Sequence, residues 1–190
     1  METESTLGKA VAAVTPTESE SERADARSKA RSAAQPGEWL ALALDQHLEI
    51  EDAFLQAKNA PVSQRRAALK HLAVVLTGHS NAEESVIYPA LALIGEKTHA
   101  GHAYKEQATA KMGMAELERV TPSSPEFLQK LEHIRSAVAH HMYEEESTWF
   151  MQLKEKASAD DQQQITARYR EEYDRYVRPM AEPVRAGLPH

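Results

Sequence analysis

Residues 140–147 read HHMYEEES, and within them His141 precedes Glu145 by four positions. The same spacing recurs three times elsewhere: His47 before Glu51, His79 before Glu83, and His102 before Glu106. On a helix, four positions make about one turn, so each pair sets an imidazole and a carboxylate on one face. Nitrogen and oxygen donors of this kind suit first-row transition metals. One such pair alone is an ordinary surface ion pair; four of them in successive segments point to a shared metal site. The chain has no cysteine. Disulfides, thiolate metal sites and iron–sulfur clusters are thereby excluded.

The segments that carry these pairs read as helices. From Trp39, the residues Leu40, Leu44, His47, Glu51 and Phe54 recur at three- or four-residue steps, the helical period. Pro61 breaks this run, and Ser63 is the expected N-cap of the next. The second helix aligns Leu69, Leu72, Leu76, His79, Glu83, Ile87 and Ala90, and ends near Pro89 and Gly95. A third, over about 98–120, carries His102, Glu106, Thr109, Gly113 and Leu117 on one face. After the turn TPSSP, Pro125 fits the first helical position behind Ser124. The fourth helix aligns Leu131, Ile134, Val138, His141, Glu145, Trp149 and Leu153.

Four long helices joined by short loops predict an all-α, antiparallel up-down four-helix bundle over residues 37–157. In the first, second and fourth helices the His/Glu pairs fall on the apolar stripe. Carboxylates buried there would repel one another unless cations neutralise them. HSNAEESVIYP (79–89) also echoes HMYEEESTWFM (141–151), matching His79 with His141, Glu83 with Glu145 and Tyr88 with Phe150. That echo selects His141 over His140 and Glu145 over Glu144, and fits two metals related by approximate two-fold symmetry.

Outside the bundle, residues 1–36 lack aromatics and a sustained apolar period, so a disordered arm is expected, with at most transient helix around ERADARSKARSAA. A shorter C-terminal helix over 158–178 carries Ile165, Tyr169, Tyr173 and Tyr176, a stripe suited to packing on the bundle or to a homodimer. Residues 179–190 read as a loose tail. The formal net charge of −7 disfavours a nucleic-acid partner. No apolar run is long enough for a membrane span, and GKAVAAV is too short for a signal peptide, so a cytoplasmic protein is expected. Glu84, Glu144 and Glu146 read as solvated neighbours of the site, with contact to a ligand imidazole as their alternative role. No nucleotide, flavin or haem motif is present, and no G-x-S-x-G.

Three segments, LALDQHLEIEDAF, HSNAEESVIYPAL and HHMYEEESTWF, resemble the hemerythrin-like, HHE cation-binding family over roughly residues 38–157. The resemblance implies an antiparallel bundle holding a non-haem di-iron centre. His79 and His141 would then be terminal ligands, Glu83 and Glu145 bridges, and His47 the ligand of the first helix. The third helix departs from the pattern, since Gly101 stands where an acidic residue usually precedes the histidine. His102 with Glu106 is the preferred reading there and His99 its competitor. Glu51 and Glu106 would make the site richer in carboxylate than that of oxygen carriers, which suits activation of O2 or peroxide, or manganese in place of iron. The function this implies is a di-iron, di-manganese or mixed-metal site that reacts with or binds O2, peroxide or NO, with an iron, O2 or NO sensor as the alternative. Whether it turns over a substrate stays open at this point.

Overall fold

The structure, a computed structural model, describes residues 18–181. Residues 1–17 of the expected arm and 182–190 of the expected tail lie outside the described residues. All regular structure among the described residues is helical. The elements are α1 (Glu20–Ala33), α2 (Trp39–Asn59), α3 (Arg65–Ala82), α4 (Tyr88–Leu93), α5 (Lys97–Leu117), α6 (Pro125–Glu144), α7 (Phe150–Lys156) and α8 (Ala159–Ala181). One wide π-helical turn, Glu83–Ile87, joins α3 to α4, and another, Glu145–Trp149, joins α6 to α7. Four rods result (α2, α3–α4, α5 and α6–α7) and they form the expected bundle. No helix among the described residues is long and apolar enough to cross a membrane.

The helix ends follow local chemistry. Pro125 opens α6 behind Ser124 as expected, and Gly95 stops the second rod with a φ of 99° that other residues resist. Ser63 does not cap α3; it sits in a tight turn over Val62–Gln64 that leads into Arg65.

The expected disorder over 1–36 is overturned between Glu20 and Ala33. Ser19 and Glu22 form a capping box: the Ser19 hydroxyl accepts the Glu22 N–H at 3.3 Å, and the Ser19 N–H donates to Glu22 at 2.7 Å. Ala26 and Ala30 are buried, Ala30 within the cluster that contains Trp39 and Phe150. Alanines leave only a faint periodic signal, which is why composition alone read this segment as unable to pack. At the other end, α8 continues to Ala181, three residues past the expected end, and lays Ile165 and Tyr169 into the core. Tyr169 and Tyr173 therefore clasp their own bundle, while Tyr176 of the same stripe stays exposed.

Two apolar clusters fill the interior. One gathers Trp39, Leu44, Tyr88, Leu91 and Phe150; the other gathers Ile50, Phe54, Leu72, Phe127 and Leu131. Each rod passes from one cluster to the other through a polar stretch: His47 on α2, His79 and Glu83 on the second rod, Gln107 on α5, His141 and Glu145 on the fourth. The candidate site is this polar layer, sealed above and below by hydrocarbon.

Gly78, one residue before His79, faces α8 at close approach. A Cβ added there would stand 2.8 Å from Val177 Cγ2 and 3.4 Å from Tyr173. Gly78→Ala is expected to push the last turns of α8 off α3 and cost about 1–3 kcal/mol, the usual range for overpacking. A thermal melt monitored by helicity checks this, and an unchanged midpoint would contradict the close approach.

Candidate metal centre

His47, His79, Glu83 and Glu145 are all buried, and each offers a ligand atom within 4.8 Å of the other three. His47 Nε2 lies 3.3 Å from Glu145 Oε2 and 3.9 Å from Glu83 Oε1; His79 Nε2 lies 3.2 Å from Glu83 Oε2. His141 joins from the other side of Glu145, with its Nε2 3.3 Å from Oε1. Glu145 thus reaches one histidine with each oxygen. The Tyr88 hydroxyl is 3.0 Å from both His141 Nε2 and Glu145, and donates to Glu83 at 3.2 Å. Gln107 donates to Glu83 at 2.6 Å.

Each imidazole is oriented from behind. His47 Nδ1 donates to Glu146 at 2.7 Å, His141 Nδ1 to Glu106 at 2.8 Å, and His79 Nδ1 to Gln46 at 3.0 Å. Tyr169 on α8 donates to the same Gln46 oxygen at 2.7 Å. Nε2 of His47 and of His79 therefore turns inward without a hydrogen-bond partner, and that of His141 meets the Tyr88 hydroxyl, so each ring presents its far nitrogen to the centre as histidines that bind metals do. Four inward atoms, His47 Nε2, His79 Nε2, Glu83 Oε1 and Glu145 Oε2, are shielded from solvent and make no hydrogen bond. Buried polar atoms are rarely left so. A cation would satisfy all four at once, and an all-nitrogen-and-oxygen set of this kind fits iron or manganese. The residues present fit such a group.

Electrostatics carry the same message. Burial and then the neighbouring Glu145 charge push Glu83 up to about 7. Burial alone would also raise Glu145, but His141 and His47 outweigh it and hold its carboxyl well below the usual range. Burial opposes charge on His141, yet Glu145 and Glu106 lift it to about 10. His47 is raised well above its ordinary value against the same burial, by Glu145, Glu146 and Glu83. His79 is pushed well below its ordinary value by burial and then by the His47 charge. In the metal-free chain, imidazolium protons supply the positive charge that the two glutamates require. They do not complete the hydrogen bonding.

The two π turns explain the sequence echo. Each begins at the inward glutamate, and each closes with an N–H five residues on, from Tyr88 to Glu83 and from Phe150 to Glu145. Such turns often mark functional sites. Pro89 is not their cause, because Met151 occupies the matching place in the second. The notable asymmetry is at Tyr88 and Phe150: only the first carries a hydroxyl, and it points into the site.

Not every expected ligand arrives here. Glu51 sits on the flank of α2, its side chain 37% exposed, and is gripped at 2.8 and 2.9 Å by Arg27 of α1. His102 is half exposed, 3.1 Å from Glu106 and 3.4 Å from Glu144, in a separate group at the rim. His99 faces Gln152 and stacks on Trp149. Glu106 comes close, but behind His141. The buried face of α5 runs through Ala100, Ala103, Gln107, Met114 and Leu117, one position round from the His102–Glu106 stripe. Alanine, glycine and threonine give that helix little amphipathic contrast, so its register was read from the His/Glu spacing. Sequence spacing gives no reason to single out Arg27 or Gln46, the default for Glu146 is a solvated helix face, and Tyr169 reads as packing. Only Glu146, next to Glu145, carried a visible signal.

A cavity of about 20 Å³ lies beside His79, Glu106, Gln107 and His141, with Leu76, Ala110, Val138 and Met142 among its other walls. That is room for roughly one water-sized molecule.

The family model described as the hemerythrin HHE cation binding domain matches residues 38–153. A curated relative, a DNA nickase of Nostoc sp. (strain PCC 7120 / SAG 25.82 / UTEX 2576), is 28% identical over 95 residues. That stretch covers 50% of this chain and 27% of the relative, so the likeness spans about a quarter of the relative's length. No solved structure matches the chain at a significant level.

Proposed function

The chain belongs to the hemerythrin HHE cation-binding domain family, and from that premise we propose that its polar layer holds two iron ions, with manganese as the alternative, and reacts with or binds O2, peroxide or NO. The observation that carries this reading is the convergence of four unpartnered donor atoms between two hydrocarbon layers. His47, His79 and His141 offer Nε2 as terminal donors, and Glu83 and Glu145 stand between them with one oxygen toward each side. Bound iron would supply the electron-transfer chemistry toward O2 and its reduced forms that side chains lack. The chain's own part is to fix the rings through Glu146, Gln46 and Glu106, and to keep bulk water out. The Tyr88 hydroxyl oxygen lies 3.0 Å from Glu145 and 3.2 Å from Glu83, where its proton can be given to a small anionic ligand. The cavity next to His79 and His141 has room for a molecule of that size and little more.

A sensor is the second reading, favoured by one specific observation: α1 and α8 both bond to groups that orient the histidines, so a change at the centre would be felt by both. The relative's name refers to DNA, whereas a net charge of −7 opposes phosphate binding by this chain.

Elemental analysis of protein purified without added metal tests the proposal. About two iron or manganese ions per chain are expected, as in other carboxylate-rich bundles. Near zero, persisting after anaerobic reconstitution with ferrous iron, would overturn it. With metal present, consumption of peroxide or O2 over many turnovers would favour an enzyme, and stoichiometric binding without turnover would favour a sensor.

A further inference from the structure

Among the described residues, two helices lie outside the family-matched residues 38–153, α1 and α8. Both reach the histidines of the site, but with opposite chemistry. Behind His79 stand neutral groups, the Gln46 carbonyl at 3.0 Å and the Tyr169 hydroxyl at 3.2 Å. Behind His47 stands a carboxylate: Glu146 Oε1, 2.7 Å from Nδ1. The same oxygen accepts from Arg27 Nε of α1 at 2.9 Å, while the other two guanidinium nitrogens hold Glu51. The Glu146 side chain is fully buried and its second oxygen has no hydrogen-bond partner. The charge on Oε1 is therefore divided between two donors, one on α1 and one on a histidine of the centre.

Resting on the metal reading above, the geometry points to Arg27 as a positioning residue that sets how strongly His47 donates to its metal. A carboxylate behind an imidazole raises the basicity of the far nitrogen. A guanidinium drawing on the same oxygen weakens that effect, because charge-assisted hydrogen bonds compete for one lone-pair region. α1 is thus a tuning element that this chain adds to the bundle, acting through Glu146 on one histidine and leaving His79 to its neutral partners.

The test uses signs. In Glu146→Gln the acceptor behind His47 becomes neutral, His47 donates less, the higher oxidation state is less stabilised, and the reduction potential rises. In Arg27→Gln, Glu146 keeps its charge without the competing guanidinium, His47 donates more, and the potential falls. A merely structural role for Arg27 would move both variants the same way. Arg31→Gln is the control: it removes an α1–α2 ion pair of 2.7 Å to Asp45 without touching Glu146, and is expected to leave the potential unchanged.

The measurement is a spectroelectrochemical titration of the full-length, iron-loaded chain, with metal content recorded for every sample. Opposite shifts in the first two variants and none in the third are expected. Shifts in one direction, or an equal shift in Arg31→Gln, would overturn the assignment. If the wild-type chain takes up no metal, the functional proposal fails separately, and the relay is read in the metal-free chain from the Nδ1 proton resonance of His47. It should move upfield in Glu146→Gln and downfield in Arg27→Gln; movement in the same direction would overturn it.

Discussion

Glu145→Ala and Glu83→Ala are each expected to abolish binding of one or both metal ions, while Glu84→Ala keeps the wild-type metal content. The three residues are close in sequence type but not in placement. Glu145 sends Oε2 toward His47 and Oε1 toward His141, both at 3.3 Å. Glu83 stands 3.9 Å from His47 and 3.2 Å from His79. Deleting either carboxylate removes a donor from two neighbouring positions at once, so the loss should exceed the 10–100-fold typical of outer partners. Glu84 is turned away, paired at 2.7 Å with Lys111. His102→Ala and His99→Ala should also keep their metal, because neither ring belongs to the buried group. Glu145→Ala has a further cost in the metal-free chain, where it removes the carboxylate that faces both His141 and His47 and leaves them only Glu106 and Glu146 behind their rings. Equal metal content in Glu145→Ala and Glu84→Ala would sink the proposed register.

The bundle and its inward glutamates are legible in the sequence because large apolar residues share one stripe with His79 and Glu83 on the second rod and with His141 and Glu145 on the fourth, whereas on α2 only His47 keeps to that stripe and Glu51 falls to the flank. Leu72, Leu76 and His79, or Val138, His141 and Glu145, leave no second register open. α5 shows the opposite case. Its buried positions are filled by Ala100, Ala103 and Gln107, which a helical period cannot distinguish from Gly101, His102 and Glu106. The partners behind the histidines were illegible for a different reason. Glu146 and Gln46 adjoin inward residues in sequence, and adjacent positions on a helix point about 100° apart. Whether such a residue meets solvent or another helix depends on what covers that flank. Here α1 and α8 cover it, and α1 was read as disordered. Glu51 and Glu146 belong together through Arg27, a contact between chain positions far apart that no local spacing encodes.

Removing the metal should destabilise the chain, and the loss should grow as pH rises. Consider the metal-free state first. His141, raised to about 10, and His47, raised well above its ordinary value, contribute stability that is fully present below the unfolded value of about 6.5 and lost as pH climbs toward their folded values. Glu83, raised to about 7, holds its proton in the folded chain, so its contribution also falls as pH rises from about 4 through 7. Glu145 runs the other way: its folded value is depressed, so its contribution is present above about 4 and lost in acid. His79, pushed well below its ordinary value, costs stability below about 6.5 and so offsets Glu83 over that interval, and the metal-free chain should therefore be most stable in mildly acidic solution and weaken from there toward pH 9. Metal binding requires the same imidazoles and carboxylates without their protons, so affinity increases over that interval. At free metal about 1,000-fold above Kd, binding adds about 4 kcal/mol to the native state, which for a chain of this length is roughly 8–16 °C in Tm. Melting curves of loaded and chelator-stripped protein at pH 6, 7 and 8 should diverge steadily. A gap that stays flat or closes would mean that His47 and His141 keep their protons in the presence of metal, and the buried glutamates would then be held by imidazolium charges alone.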